Sequence, residues 1–297
     1  MRNLIINTVL DMMSKDQDIF FLTGDMGINL VEPIQSQFPA RFLNVGIAEQ
    51  NLIGVSAGLA NLGYRPFAYT ISNFLIHRCL EQIRNDISLH EYPITLVGTS
   101  TGFDNSPLGP THHIVDDWGM LKSFSNFKVY CPSSVSYAKN IVSRVLSQDS
   151  PTYIRVPKGG PTNPDSSDDV ILIGSPKSEI AIVTYGGLVQ ECLKVHEANT
   201  KVAIIVVNQV FPLDEDRIIE YLGGKRQILV VEDHVPKTGL YGSLCELMVR
   251  ANIGVNIEGL GPTGPVFEVG STPDYYFRRF GLDSGSLLKK CALIYGH

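Results

Sequence analysis

The chain has 297 residues, 44% hydrophobic and 18% charged, with a formal net charge of −6. That length supports two domains of ordinary size, the composition is globular rather than disordered, and the acidic balance gives no reason to expect nucleic acid or an anionic membrane surface as partner. The five scattered cysteines (Cys79, Cys131, Cys192, Cys245, Cys291), the short N-terminal apolar run and the lack of any stretch of ~18 apolar residues point to reduced, mostly buried thiols in a soluble cytoplasmic protein.

Residues 4–15 space their apolar side chains as a helix does, and residues 19–22 form a short strand followed by the turn T-G-D-M-G. Residues 38–45 lead into the segment 44–62, N-V-G-I-A-E-Q-N-L-I-G-V-S-A-G-L-A-N-L. It is rich in small and apolar residues, and its one ionisable side chain is Glu49. The segment reads as a buried helix, with Gly46, Gly54 and Gly58 allowing close approach of other backbones. A carboxylate there is costly without a partner. Glu49 is therefore either a proton-transfer group or a helix-end carboxylate bonded to nearby N–H groups, and both readings stand.

Further along, residues 65–70 form a strand, 74–88 a helix and 94–98 a buried strand, followed by a Gly/Pro/Ser/Asn-rich loop over 99–111. A strand at 129–131, a helix at 136–146 and the segment 151–157 complete a first α/β unit. The run K-G-G-P-T-N-P-D-S-S-D-D over 158–169 reads as a linker. A second α/β pattern follows, with strands at 180–184, 202–207, 227–232 and 256–260 and helices at 187–198, 214–222 and 239–251. The expected architecture is two α/β domains, residues 1–160 and 170–297, each a mainly parallel sheet with helices on both faces.

Four landmarks then fall in order. They are Asn44 with Gly46–Gln50, Gly54 and Gly58; Pro66–Thr70 with Phe74; the loop Gly109–Pro110–Thr111–His112; and Val230–His234 with Gly239. Together they resemble the thiamine-diphosphate enzymes of the transketolase and deoxyxylulose-phosphate synthase type, over nearly the whole chain. The resemblance implies that Glu49 bonds N1′ of the cofactor's aminopyrimidine and promotes the imino form that activates the thiazolium. It implies that Phe74 stacks on that ring, that His77 or Arg78 flanks it, and that Asp25 lies nearby, although Asp25 equally suits turn and N-cap chemistry. His112 would face the substrate and Arg155 would bind a substrate phosphate, unless Arg155 is a surface ion pair.

The departures from the family are also informative. Leu108 stands where transketolases have an aspartate that recognises a substrate hydroxyl, and Ser100 stands where they have a histidine. This suggests an acceptor other than ordinary pentose or hexose phosphates, such as a modified or nucleotide-linked sugar, or a 2-oxo acid as donor. The G-D-G motif with a distant Asn, which holds Mg²⁺ and the diphosphate, is missing; Gly24–Asp25–Met26–Gly27 is the nearest string. The resemblance thus implies a split enzyme whose N-terminal, diphosphate-binding subunit is a second polypeptide in an α2β2 heterotetramer, the layout of the pyruvate dehydrogenase beta subunit. Alternatives are the beta subunit of a 2-oxo acid dehydrogenase or decarboxylase, a deoxyxylulose-phosphate-synthase-like carboligase, or a regulatory chain, the last disfavoured by Glu49, Phe74 and His112. In the C-terminal domain His196, His234, Glu232 and Asp233 read as surface or interface groups, and no site residue is assigned there.

Overall fold

The computed structural model describes residues 1–160 and 165–295; residues 161–164 of the expected linker lie outside the described residues. The strands are β1 (Ile19–Thr23), β2 (Phe42–Asn44), β3 (Arg65–Ile71), β4 (Thr95–Thr99), β5 (Lys128–Tyr130), β6 (Thr152–Val156), β7 (Val170–Ile173), β8 (Ile180–Thr184), β9 (Val202–Val207), β10 (Gln209–Phe211), β11 (Gln227–Val231) and β12 (Asn256–Leu260). They form two sheets, in the orders β10-β5-β6-β4-β3-β1-β2 and β12-β11-β8-β9-β7. Both sheets are parallel apart from β10 on β5 and β7 on β9, each antiparallel at an edge. Central strands such as β9, V-A-I-I-V-V, are buried along their whole length, which is why they read as unbroken apolar runs rather than alternating ones.

Helices cover both faces of the first sheet. Arg2–Met13 and Val135–Leu146 pack together on one side, the latter capped by Ser134 Oγ accepting from the Tyr137 N–H at 3.1 Å. Glu49–Asn61 packs on the other. All five cysteines are free, and no helix among the described residues is long and apolar enough to cross a membrane.

Several elements differ from expectation. The segment 44–62 is not one helix: Asn44 ends β2, and the helix starts only at Glu49. Gly54 and Gly58 face outward, with nothing within 4 Å of a Cβ built on either, so no backbone among the described residues approaches them. The expected helix over 74–88 is broken into Ser72–Ile76, Leu80–Gln82 and a π-helical stretch Ile83–Ser88, with His77 and Arg78 in the first break. The helices Glu32–Gln37, Asp117–Leu121, Pro273–Arg279 and Ser284–Tyr295 and the strands β7 and β10 have no counterpart in the sequence reading. Two of those helices are single turns with little room for periodicity, and β10, a three-residue strand, is recruited by the sheet of the other half.

The two halves share one continuous core, in which Trp118 and Leu121 meet Tyr185, Leu240 and Leu244. Polar groups cross the same boundary. Arg155 is 2% exposed and donates from Nε to Asp117 Oδ2 and from Nη1 to Asp233 Oδ1, both at 2.9 Å. Tyr153 Oη donates to the same Asp117 oxygen at 2.8 Å. His234 accepts from the Gly119 N–H at 3.3 Å, and Glu232 accepts from the Leu240 and Tyr241 N–H groups at 2.9 and 3.0 Å. Glu232 and His234 are completely buried and Asp233 nearly so; of the two readings, surface or interface, the surface one is excluded, and Asp233 and His234 bond across the boundary between the halves. Burial pushes the Glu232 carboxyl up to about 7 against the opposing pull of those two N–H bonds.

A buried arginine holding two carboxylates is hard to dismantle, because removing it strands both anions. Arg155→Ala is therefore expected to lower unfolding free energy by about 3–5 kcal/mol, measured as a fall in the urea midpoint. A loss below about 1 kcal/mol would show that the cluster is solvated and contributes little.

Candidate active site

In parallel α/β sheets, groups that bind ligands collect beyond the carboxyl ends of the strands. Three such ends converge here: Glu49 follows β2, Phe74 follows β3, and the loop carrying His112 follows β4. Glu49 is the first residue of its helix and is 2% exposed. A Cβ on Gly24, just past β1, would lie 3.1 Å from Thr70 Oγ1 and 3.5 Å from Glu49 Cγ, so a side chain there would crowd the carboxylate.

The broken helix after β3 supplies the rest. Arg78 Nη1 donates to Glu49 Oε2 at 2.6 Å, and its guanidinium carbon sits 4.3 Å from the centroid of the Phe74 ring. The His112 ring meets Phe74 edge-on, with centroids 5.0 Å apart and planes at 68°. Glu49, Phe74, Arg78 and His112 thus form one contiguous group. Of the two candidates in the break, Arg78 joins it, while His77 turns away and bonds Asp116 Oδ1 through Nε2 at 2.8 Å.

The His112 loop is fixed by backbone geometry and by a clamp. Gly109 has φ 71°, and a Cβ there would lie 2.7 Å from Val269 Cγ2, so this position of the G-P-T-H turn admits only glycine without strain. Asn73 Nδ2 donates to the His113 carbonyl, tying the loop to the turn of helix that presents Phe74. His112 Nδ1 pairs with Thr111 Oγ1 at 2.9 Å. Burial, then the positive charges of Lys158 and Arg78, hold the His112 pKa below its ordinary value, which favours a neutral imidazole.

Other positions fall elsewhere. Asp25 sits at φ 54° in an exposed turn, its Oδ1 accepting from Asn44 Nδ2 at 3.0 Å. It caps no helix, since the next begins at Glu32. Arg155 is neither a surface ion pair nor free to take a new anion with the two nitrogens that hold Asp117 and Asp233, although its Nη2 has no hydrogen-bond partner among the described residues. Ser100 is 2% exposed, whereas Leu108 is 55% exposed beside Gly109. Asn73 and Asp116 are contributors that the sequence reading passed over; the only hint was polar residues flanking Phe74 and following the G-P-T-H run. Among the described residues, no group of three or more His, Cys, Asp or Glu is set to hold a metal ion.

The bond to Asp116, before the opposing effect of burial, raises the His77 pKa above its ordinary value. Asp116→Asn is expected to move the His77 titration downward in an NMR pH series, and an unmoved midpoint would contradict the pairing.

Comparison with known proteins places the chain in a family. The transketolase pyrimidine-binding domain family matches residues 1–161, and the transketolase C-terminal domain family matches residues 170–284. One subunit of the apulose-4-phosphate transketolase of Actinobacillus succinogenes is 25% identical over 298 residues, covering 96% of this chain and 95% of that one. The 1-deoxy-D-xylulose-5-phosphate synthase 1 of Geobacter metallireducens is 30% identical over 287 residues, which are 91% of this chain and 45% of that longer protein. A solved split-gene transketolase, described as an inactive β4 tetramer, superposes with a TM-score of 0.86 at 23% identity, covering 97% of this chain and 95% of that one. The chain belongs to the transketolase family, as a pyrimidine-binding domain followed by a transketolase C-terminal domain.

Proposed function

We propose that this chain is the pyrimidine-binding half of a split, thiamine-diphosphate-dependent transketolase, and that it works with a separate diphosphate-binding subunit. The observation that carries the reading is the 2%-exposed Glu49 carboxylate joined through Arg78 to the face of Phe74, with the His112 ring against the same phenyl group. The cradle suits an aminopyrimidine, because a flat, N–H-bearing group, the Arg78 guanidinium, already fits between the carboxylate and the ring.

Thiamine diphosphate, when bound, supplies the electron sink for making and breaking a carbon–carbon bond beside a carbonyl. This chain's residues do the rest of the work at the ring end. Glu49 holds a proton at N1′, and its burial keeps that proton from exchanging with water. Phe74 orients the ring by stacking, and His112, its pKa held below the ordinary value by burial, offers a hydrogen bond to a substrate oxygen. Asp25, in the turn after β1, and His77, in the helix break and bonded to Asp116, are given no contact with the ring in this reading.

Mg²⁺ and the diphosphate belong to the partner in this reading, as G-D-G ligands have no counterpart here. The site then exists only at the interface of an α2β2 assembly, in the cytoplasm. That the apulose-4-phosphate relative is itself named as one subunit of its enzyme supports the split design. Leu108 and the buried Ser100 replace polar acceptor-reading groups, which favours a modified or nucleotide-linked sugar as acceptor of the two-carbon unit. Arg155 would reach a substrate phosphate only through Nη2, which has no hydrogen-bond partner among the described residues. The 30% identity to a deoxyxylulose-phosphate synthase keeps a carboligase using a 2-oxo acid donor as the second reading.

The test is reconstitution with a diphosphate-binding partner, Mg²⁺ and thiamine diphosphate. Glu49→Ala is expected to lower kcat for ketol transfer by roughly 10²–10⁴-fold while the variant still folds and assembles. Full activity in that variant would remove Glu49 from the mechanism.

A further inference from the structure

Arg78 is placed oddly for a residue that merely neutralises Glu49. Its guanidinium does two things at once: it bonds Glu49 Oε2 at 2.6 Å and lies over the Phe74 ring at 4.3 Å from the centroid. A guanidinium is planar, delocalised and edged with N–H donors. An aminopyrimidine that carries a proton on N1′ is also planar and presents an N–H to the same kind of acceptor. Both groups therefore compete for one carboxylate and one aromatic face.

We propose that Arg78 is a placeholder for the aminopyrimidine: in the cofactor-free chain it fills the cradle, and it swings out as the ring enters. The inference rests on the reading of Glu49 and Phe74 as that cradle. The geometry gives the arm a fixed base and a free end. Arg78 lies in the helix break, and its carbonyl accepts from Gln50 Nε2 at 2.9 Å, which pins the backbone beside the turn that begins with Glu49. Its side chain, by contrast, is 42% exposed, so rotation can carry the guanidinium into water without moving the helix. Until the ring arrives, the arrangement spares Glu49 from being a buried charge without a counter-ion, and it keeps Phe74 covered. His112 gains a second effect, since the Arg78 charge is one of the influences lowering its pKa and would recede with the arm.

A placeholder makes a prediction opposite to that of a simple supporting residue: removing it should improve cofactor binding. The experiment is calorimetric titration of thiamine diphosphate, with Mg²⁺, into the reconstituted two-subunit protein carrying wild-type Arg78, Arg78→Met or Arg78→Ala, with folding checked by circular dichroism. Methionine keeps an apolar stem beside Phe74 and so guards against collapse of the break. Both variants are expected to bind roughly three- to tenfold more tightly, with a faster association phase. Unchanged or weaker binding in both overturns the proposal. Glu49→Gln, titrated in parallel, separates the two levels of the argument. If it leaves affinity untouched, the cradle reading itself fails; if it weakens binding while the Arg78 variants do not tighten it, only the placeholder fails.

Discussion

Glu49 begins its helix with 2% of its surface exposed, and a carboxylate so placed needs a cation or a shared proton to be tolerated. Much of the site follows from that requirement. The helix after β3 breaks at His77 and Arg78, which lets Arg78 reach back to the carboxylate and lie over Phe74. An unbroken helix would send residues four apart to the same face, but it would not set a guanidinium between that face and a neighbouring helix start. Local irregularity, rather than regular structure, assembles the cradle.

The cradle also needs a rigid floor, and the boundary between the two halves supplies it. Gly102, at φ 54°, leaves no room for a Cβ: one would lie 1.9 Å from Asp233 Oδ2. The loop that ends in His112 therefore starts against the carboxylate that Arg155 holds from the other side at 2.9 Å. Further along, Gly109 rests on Val269, and His113 packs edge-on against Tyr276 with centroids 4.9 Å apart. Among the described residues the C-terminal half carries no group of the cradle, yet it backs the His112 loop at each of these points. Displacing it would loosen His112 rather than remove it.

Parts of this were open to reading from the sequence, and the reasons are physical. β9 and β8 are buried on both faces, so their apolar runs are unambiguous, and the linker composition separated two α/β patterns. Glu49 stood out because it is the one ionisable group in a long stretch of small and apolar residues. Arg78 entered only as an alternative to His77, because choosing between them depends on where a helix breaks, and apolar spacing continues through the break. Arg155 is the clearest case of what a chain conceals. Its partner Asp233 lies 78 residues away, and nothing local distinguishes a buried clamp from a surface ion pair or a phosphate ligand. β10 shows the same limit at the level of topology, since a three-residue strand after the linker completes the sheet that precedes it.

The central claim is that this chain holds only the ring end of the cofactor and that a second polypeptide completes the site. It is tested most directly by titrating thiamine diphosphate with Mg²⁺ into the chain alone, the diphosphate-binding partner alone and the two mixed. Tight, Mg²⁺-dependent binding only in the mixture is the result expected of a composite site. Equally tight Mg²⁺-dependent binding by this chain alone would contradict it.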